Sequence, residues 1–321
     1  MLKFGVKKLF LIIFVCAGAS FAFGQTSETP IDLQTILKKA DEQTVVYQEE
    51  FKNLLAKETK TFEKYDKNGN VKKQNVVEST FVVYQSPRDK NLVSEFRNVT
   101  KVDDKPITDS EKRSEEFFAE LRKNQSSANE LAKIEKESLR YDKSLLISGL
   151  TLLQAPVLSE NLRPYFDFQM LGTENIEGNE VYVIGYRQTK QSPFISINDS
   201  AGSSDKLKLD FKIDLPNSVK KSDVFLQGKL WIDAKTFQLW REERELTART
   251  ANPVTLMKTD FVYQPSEFGI LVPKQISLVE NNVKNSSKKN QTIAADTKAT
   301  FDYSRFNRTD VDVKILDDNS Q

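Results

Sequence analysis

Histidine is absent from the 321-residue chain, and cysteine occurs once, at Cys16. Without histidine there is no imidazole base and no Ser-His-Asp relay. Zinc sites built from His and Cys ligands are excluded with it. Cys16 falls inside a stretch that reads as a cleavable leader, so the remaining chain has neither a cysteine nucleophile nor a disulfide. Glycine is scarce, at 11 residues, and no Gly-rich phosphate loop or nucleotide fingerprint is present. No cofactor or metal is implied. Carboxylates, Lys, Tyr and Ser are the only reactive groups left, so the expectation is a protein that is not an enzyme.

Lys3, Lys7 and Lys8 precede the apolar run 9–15, and Ala17, Gly18, Ala19, Ser20, Ala22 and Gly24 follow it. A positive start, a short apolar stretch and a small-residue exit predict a signal peptide over 1–24, cut after Ala22 or Gly24. A membrane helix needs about 20 apolar residues, so an uncleaved anchor is the weaker reading. Bulky Ile13, Phe14 and Val15 before Cys16 disfavour a lipid-modified cysteine. An exported protein, periplasmic or secreted, is expected, with no transmembrane segment after cleavage.

The chain has 47 basic and 46 acidic residues; losing Lys3, Lys7 and Lys8 leaves 44 against 46. Such balance exerts no general pull on nucleic acid or anionic lipid. The pairs Lys72-Lys73, Lys220-Lys221 and Lys288-Lys289 are short and scattered, so no nucleic-acid partner is expected. Apolar residues make up 38% of the chain and include 21 Phe, enough for a core without disulfide staples. Residues 25–321 are expected to form a single domain.

A helix is expected from near Thr29, where Pro30 suits the first turn. Leu33, Ile36, Leu37, Ala40, Thr44, Tyr47 and Phe51 repeat at helical spacing. Strands are expected at 58–65 and 75–84, joined by the Asp66-Lys67-Asn68-Gly69-Asn70 turn. A polar stretch leads to the turn Asp103-Asp104-Lys105-Pro106. Helices follow, one capped by Thr108 or Asp109 and another over 131–140. The apolar stretch 145–158, interrupted by Gly149 and Pro156, reads as a short buried helix or a lid over a cavity. Strands then recur at 166–172, 181–184, 207–213, 224–233, 238–246, 257–263, 271–279 and 298–306. In the clearest, Val224, Leu226, Gly228, Leu230 and Ile232 share one face. Short turns between strands imply antiparallel pairing, and one apolar face implies a sheet covered on one side. The fold class is α+β: a large curved antiparallel sheet wrapped around an N-terminal helix and a helical insertion at about 101–158.

Two phrases stand near the end, Gly228-Lys229-Leu230-Trp231-Ile232-Asp233-Ala234-Lys235-Thr236 and Gly269-Ile270-Leu271-Val272-Pro273-Lys274-Gln275-Ile276. Arg241-Glu242-Glu243 and the hairpin Ile176-Glu177-Gly178 with Val181-Tyr182-Val183 accompany them. This order resembles the outer-membrane lipoprotein-sorting superfamily, with its LolA-like, LolB-like and RseB-like members; the chain looks like a longer member. The resemblance implies a half-barrel with an apolar concave side, closed by helices, that receives an acyl chain or lipid moiety. Leu226, Leu230, Ile232, Trp240, Phe261, Tyr263, Ile276 and Leu278 are the candidates to line it, and each also fits an ordinary core. The RseB-like resemblance implies an alternative, a protein partner or envelope-stress role acting through the charged insertion.

The carboxylate pairs Asp103-Asp104, Glu115-Glu116, Glu242-Glu243 and Asp317-Asp318 read as surface charge. Neighbours on a strand point to opposite faces, so Glu242-Glu243 cannot be a glycosidase pair. Residues 66–70 lack the spacing and terminal Glu of a calcium loop.

Overall fold

The computed structural model of the chain describes residues 31–86, 89, 93–122, 127–141, 150–198, 209–213, 215–217, 219–250, 253–282 and 294–308. The expected leader over 1–24, residues 145–149, Lys288-Lys289 and Asp317-Asp318 lie outside them. The elements of the fold belong to the unit Leu33–Gln321.

Helix α1 (Leu33–Phe51) buries Ile36, Leu37, Ala40, Thr44, Tyr47 and Phe51, the stripe expected of it. It starts later than Thr29, since Ile31 and Asp32 are not helical. Thr44, Val45 and Val46 are β-branched, so packing holds the middle of this helix more than propensity does. Tyr47 stacks on Phe51 at 4.9 Å and meets Tyr263 edge-on at 6.1 Å. A fully buried ring of this kind contributes roughly 1.5–3 kcal/mol. Asn53 Nδ2 donates to Glu49 O at 3.0 Å and closes the last turn.

The strands are β1 (Leu54–Tyr65), β2 (Val71–Gln85), β3 (Val93–Val102), β4 (Lys105–Pro106), β5 (Phe166–Ile176), β6 (Asn179–Gln188), β7 (Ile195–Ile197), β8 (Leu209–Phe211), β9 (Val224–Asp233), β10 (Leu239–Ala248), β11 (Val254–Gln264), β12 (Val272–Asn282) and β13 (Ala294–Arg308). Eleven of them form one sheet in the order β4-β3-β2-β1-β13-β12-β11-β10-β9-β6-β5. Every neighbouring pair is antiparallel, the sheet is curved, and it stays open between its edges β4 and β5. The expected α+β half-barrel is therefore the architecture found. The exception is 207–213, whose described part, β8, pairs with β7 in a separate parallel ladder. A second difference is β3, which lies in a stretch read as merely polar. Its inward residues Glu95 and Arg97 are charged, which hides the apolar alternation of a strand.

The two faces of the sheet carry different helices. Phe81 on β2 meets Phe51 of α1 at 6.0 Å, on the inner face. Its neighbour Val82 points outward and packs with Phe96, Leu121 and Ile134 beneath α2 (Ser110–Arg122) and α3 (Ser127–Ser138). The sheet is thus covered on both faces here, which corrects the expectation of one-sided cover. Ser138 Oγ, at the end of α3, donates to Glu95 O at 3.0 Å and accepts from Arg97 N at 3.2 Å. It supplies the free edge of β3 with partners a further strand would otherwise provide.

The chain then lines the inner face. Thr151 and Gln154 to Leu158 are buried, but the described part of 145–158 holds no α-helix. Ala155 adopts φ 39° and a single 3-10 turn, Pro156–Leu158, follows. In the described part the expected burial is present and the expected helix is not, because a left-handed residue directly before a proline stops α-helical propagation. Among the described residues no helix is long and apolar enough to cross a membrane.

Gly228 sits where two strands and a side chain converge. A Cβ there would lie 1.9 Å from Glu243 O and 2.5 Å from Tyr186 Oη. Gly185, its outward counterpart, would meet only the flexible tip of Leu171, at 3.2 Å. Gly228→Ala is expected to cost about 3 kcal/mol or more, and Gly185→Ala less than about 1 kcal/mol. Urea unfolding of the two variants measures this difference; equal midpoints would contradict the crowding at Gly228.

Candidate functional site

All eight residues proposed to line a ligand space point to the inner face. Leu226, Leu230 and Ile232 come from β9 and Trp240 from β10; Phe261 and Tyr263 come from β11, Ile276 and Leu278 from β12. None is more than 4% exposed. Strand register lines several of them up. Leu230, Glu242, Phe261, Ile276, Phe301 and Lys60 follow one another across six strands. Above them lie α1 and the stretch 151–165, which contributes buried Val157, Leu158 and Leu162. Trp240 keeps its indole satisfied by donating to Asp233 Oδ2 at 3.0 Å. The same carboxylate accepts from the backbone N–H groups of Lys235 and Thr236, which explains the Asp233-Ala234-Lys235-Thr236 turn. Burial would raise the pKa of Asp233, but these hydrogen bonds outweigh it and hold the carboxyl below its ordinary value.

The inner face is not uniformly apolar, which corrects what the family resemblance implied. It carries two buried ion-pair networks. In the first, Arg97 Nε donates to Glu58 Oε1 and Oε2 at 2.8 and 3.0 Å, and Arg97 Nη2 to Glu95 Oε2 at 2.9 Å. Glu95 Oε1 then accepts from Thr151 N at 2.8 Å and Thr151 Oγ1 at 2.6 Å. Tyr47 Oη donates to Thr151 O at 2.8 Å, so α1, β3 and the inner stretch meet at one residue. In the second network, Arg244 Nε and Nη2 donate to the two oxygens of Glu242 at 2.9 and 3.0 Å. Tyr186 Oη donates to Glu242 Oε1 at 3.3 Å, and Ala155 N to Glu242 Oε2 at 3.2 Å. Glu242, read from sequence as surface charge, is fully buried; Glu243 does face outward, bound to Arg241 and Lys258.

The cations lie against rings as well as carboxylates. Arg97 stands 5.3 Å from the Phe81 centroid, Arg244 4.6 Å from Phe261 and Lys60 5.3 Å from Phe301. Burial alone would lower the pKa of Arg97, but Glu58 and Glu95 more than reverse this. Each network therefore holds charge on groups that already have partners. Arg97 sits between Glu58 and Glu95, so these two carboxyls do not flank an open cleft as glycosidase chemistry requires. Among the described residues no His, Cys, Asp and Glu cluster is arranged to hold a metal. The networks do mechanical work: Glu95 and Glu242 fasten the backbone of 151–155 from β3 and β10.

An open cleft of about 1020 Å³ lies beside this layer, along the free edge strand β5. Gln34 and Leu37 of α1 bound it, with Arg163, Pro164 and residues of β5, β6, β9 and β10. Sequence reasoning singled out none of Glu58, Glu95, Arg97, Thr151 and Arg244. A signal existed for Arg244 and Glu242, which alternate with Trp240 and Leu246 on the face identified as apolar.

Two measurements test the networks. Glu242→Gln leaves Arg244 buried without its counter-charge and is expected to cost about 3–5 kcal/mol. Glu243→Gln, on the outer face, is expected to cost less than about 1 kcal/mol. Similar denaturation midpoints for both would contradict the assignment of Glu242 to the interior network. The second test uses pH. Burial, and then nearby Glu242, raises the pKa of Tyr186 and Tyr263; burial and Glu58 raise that of Tyr303; burial and Tyr263 raise that of Tyr47. A phenol raised on folding stabilises the fold fully below its unfolded pKa of about 10, and that contribution is lost as pH climbs above it. Stability should fall above about pH 10 by up to about 1.4 kcal/mol per pH unit for each such tyrosine. In an absorbance titration of the nine tyrosines these four should ionise only with unfolding; reversible ionisation of all nine near pH 10 would count against it.

A scan against family models found no match, and a search of curated proteins found none either. Solved structures show similarity over most of the chain. An outer membrane lipoprotein-sorting protein domain from Vibrio parahaemolyticus is 9% identical, with a TM-score of 0.35, over 86% of this chain and 92% of that one. A DUF1329 family protein from Desulfovibrio piger is 10% identical, with a TM-score of 0.34, over 86% and 94%. A LolA superfamily protein from Nitrosomonas europaea is 10% identical, with a TM-score of 0.30, over 88% and 95%.

Proposed function

We propose that the protein is an exported, non-enzymatic carrier that holds an acyl chain or other lipid moiety against the inner face of its half-barrel. Residues 1–24 are its leader and 25–321 the carrier. The observation that carries this reading is the arrangement of the eight apolar side chains from β9 to β12. They form one continuous face, and what covers them is not part of the sheet. The stretch 151–158 is held by hydrogen bonds to Thr151 and Ala155, by one between Gln154 and Tyr263, and by the packing of Val157 and Leu158. Displacing it opens the face without breaking a strand pair. An acyl chain entering there gains about 0.8 kcal/mol per buried methylene, while Val157 and Leu158 keep an apolar neighbour.

Native mass spectrometry of the purified protein is expected to show bound lipid at one equivalent. Delipidated protein should bind a fluorescent fatty acid and unfold at a higher temperature with it. Absence of co-purified lipid together with no fatty-acid binding would overturn the reading.

A further inference from the structure

The cleft along β5 has features that the interior layer does not explain. Its lining comes from both sides of the sheet edge. Leu37 and Tyr186 belong to the buried layer, whereas Lys229 and Glu243 face outward. The cleft therefore runs from solvent, around the edge strand, to side chains that adjoin the second ion-pair network. Phe166, Phe168 and Tyr186 give it an aromatic wall, with ring centroids 5.9 to 6.4 Å apart.

Positive charge collects at the end of the cleft where Phe166 pairs with Gln188. Arg163 and Arg187 line it. Arg249 donates to Gln188 O, and Lys190 lies over the Tyr165 ring at 5.0 Å. Arg187 makes no ion pair among the described residues, and Arg163 reaches Asp41 only at 3.6 Å. Burial, and then the charge of Arg187, lowers the pKa of Arg249, so these two guanidiniums repel each other. Three acids, Asp167, Glu243 and Glu245, also line the cleft, and two of them are engaged. Glu243 binds Arg241 and Lys258, and Glu245 accepts from Gln227. Asp167, the register partner of Arg187, makes no ion pair with it. The guanidinium of Arg187, without an ion pair among the described residues, and that of Arg163, held to Asp41 by one long contact, stand beside an aromatic wall and match an anion joined to an apolar chain.

We propose that this cleft is the docking site of a single-chain amphiphile with an anionic head, carboxylate or phosphate. The head lies between Arg163 and Arg187, and the chain runs over Phe166 and Phe168 toward Tyr186 and Leu37. The proposal rests on the carrier reading and adds two things to it, the charge of the cargo's head and the side of the barrel from which it arrives. Outward-facing Arg187, with Arg163 at the same edge, selects the head, and the aromatic wall leads the chain to the inner face.

The test uses the chain without its leader and three fluorescent probes: a fatty acid, its methyl ester and a lysophosphatidic acid. The fatty acid is expected to bind about tenfold more tightly than the ester, as one charge-assisted hydrogen bond provides. In the double variant Arg163→Gln, Arg187→Gln that preference should vanish. Ester affinity should stay unchanged, and the thermal midpoint should fall by no more than the partly buried Arg163–Asp41 pair supplies, since Arg187 is exposed. A tighter lysophosphatidic acid identifies the head as phosphate, and a tighter fatty acid identifies it as carboxylate. Equal binding of acid and ester by the unaltered protein, or a preference that survives in the double variant, overturns the cleft assignment and leaves the carrier standing. Failure of all three probes to bind overturns the carrier itself.

Discussion

Burying a carboxylate inside a β-sheet core is costly unless every oxygen finds a donor, and this fold is organised around meeting that requirement. Glu58, Glu95 and Glu242 lie on the inner face with Lys60, Arg97 and Arg244, three charges of each sign. Their neutralisation is local. Arg244 grips both oxygens of Glu242 through two N–H groups, the planar match of guanidinium to carboxylate, and Arg97 shares its Nε–H between the oxygens of Glu58. Such pairs add little net stability over well-packed apolar residues, but they are intolerant of misplacement. A slip of β10 by one residue would turn Glu242 and Arg244 to solvent and bring Arg241 and Glu243 inside. The networks thus specify register at β10 and at the β1–β3 end, where apolar alternation alone is weakest.

The same carboxylates decide how the cover is attached. Glu95 Oε1 has no donor on the sheet among the described residues, and Thr151 supplies two; Glu242 Oε2, already bound by Arg244 Nη2, takes a second donor from Ala155. The stretch between them has no regular secondary structure of its own. It is shaped by these anchors, by the left-handed Ala155 and by Pro156. Helix α1 is bound differently, through stacked and edge-on rings to β2 and β11. Helix α1 is therefore held mainly by ring packing, and 151–158 by directional contacts together with the packing of Val157 and Leu158. Neither contributes a strand to the sheet, so the 151–158 stretch can move without breaking a strand pair.

Much of this was legible in the sequence. The stripe of α1, the turn at 66–70 and the strands from Phe166 to the end follow from periodicity and turn chemistry. The two-residue Glu177-Gly178 turn, with φ of 51° and 87°, is what the hairpin reading required. What escaped shares one cause. Strand β3, the interior role of Glu242 and Arg244, and the anchors at Thr151 and Ala155 all involve polar groups buried against polar groups. Periodicity detects apolar residues on a face, and a charged residue at an inward position counts as a break in the pattern. The eight apolar candidates came out on the inner face because their strands alternate cleanly. Their polar companions are visible only once the partner strand and its register are known. The parallel β7–β8 pair escaped for a different reason: three-residue strands carry too little pattern to show which direction they pair.

The anchors also bound the kind of occupant the inner face can accept. Lifting 151–158 strips Glu95 of two donors and Glu242 of one. Each acceptor left bare in a dry interior costs about 1–3 kcal/mol. Only Glu95 Oε1 is left bare, since Arg244 still reaches both oxygens of Glu242, so opening the face costs on the order of 3 kcal/mol in polar contacts if no water follows. At about 0.8 kcal/mol per methylene, roughly four buried methylenes are needed before a chain repays this. Short organic acids fall below that threshold and long acyl chains lie above it. The polar anchors inside an otherwise apolar barrel thus act as a length filter, and a wholly apolar cover would have set no such limit.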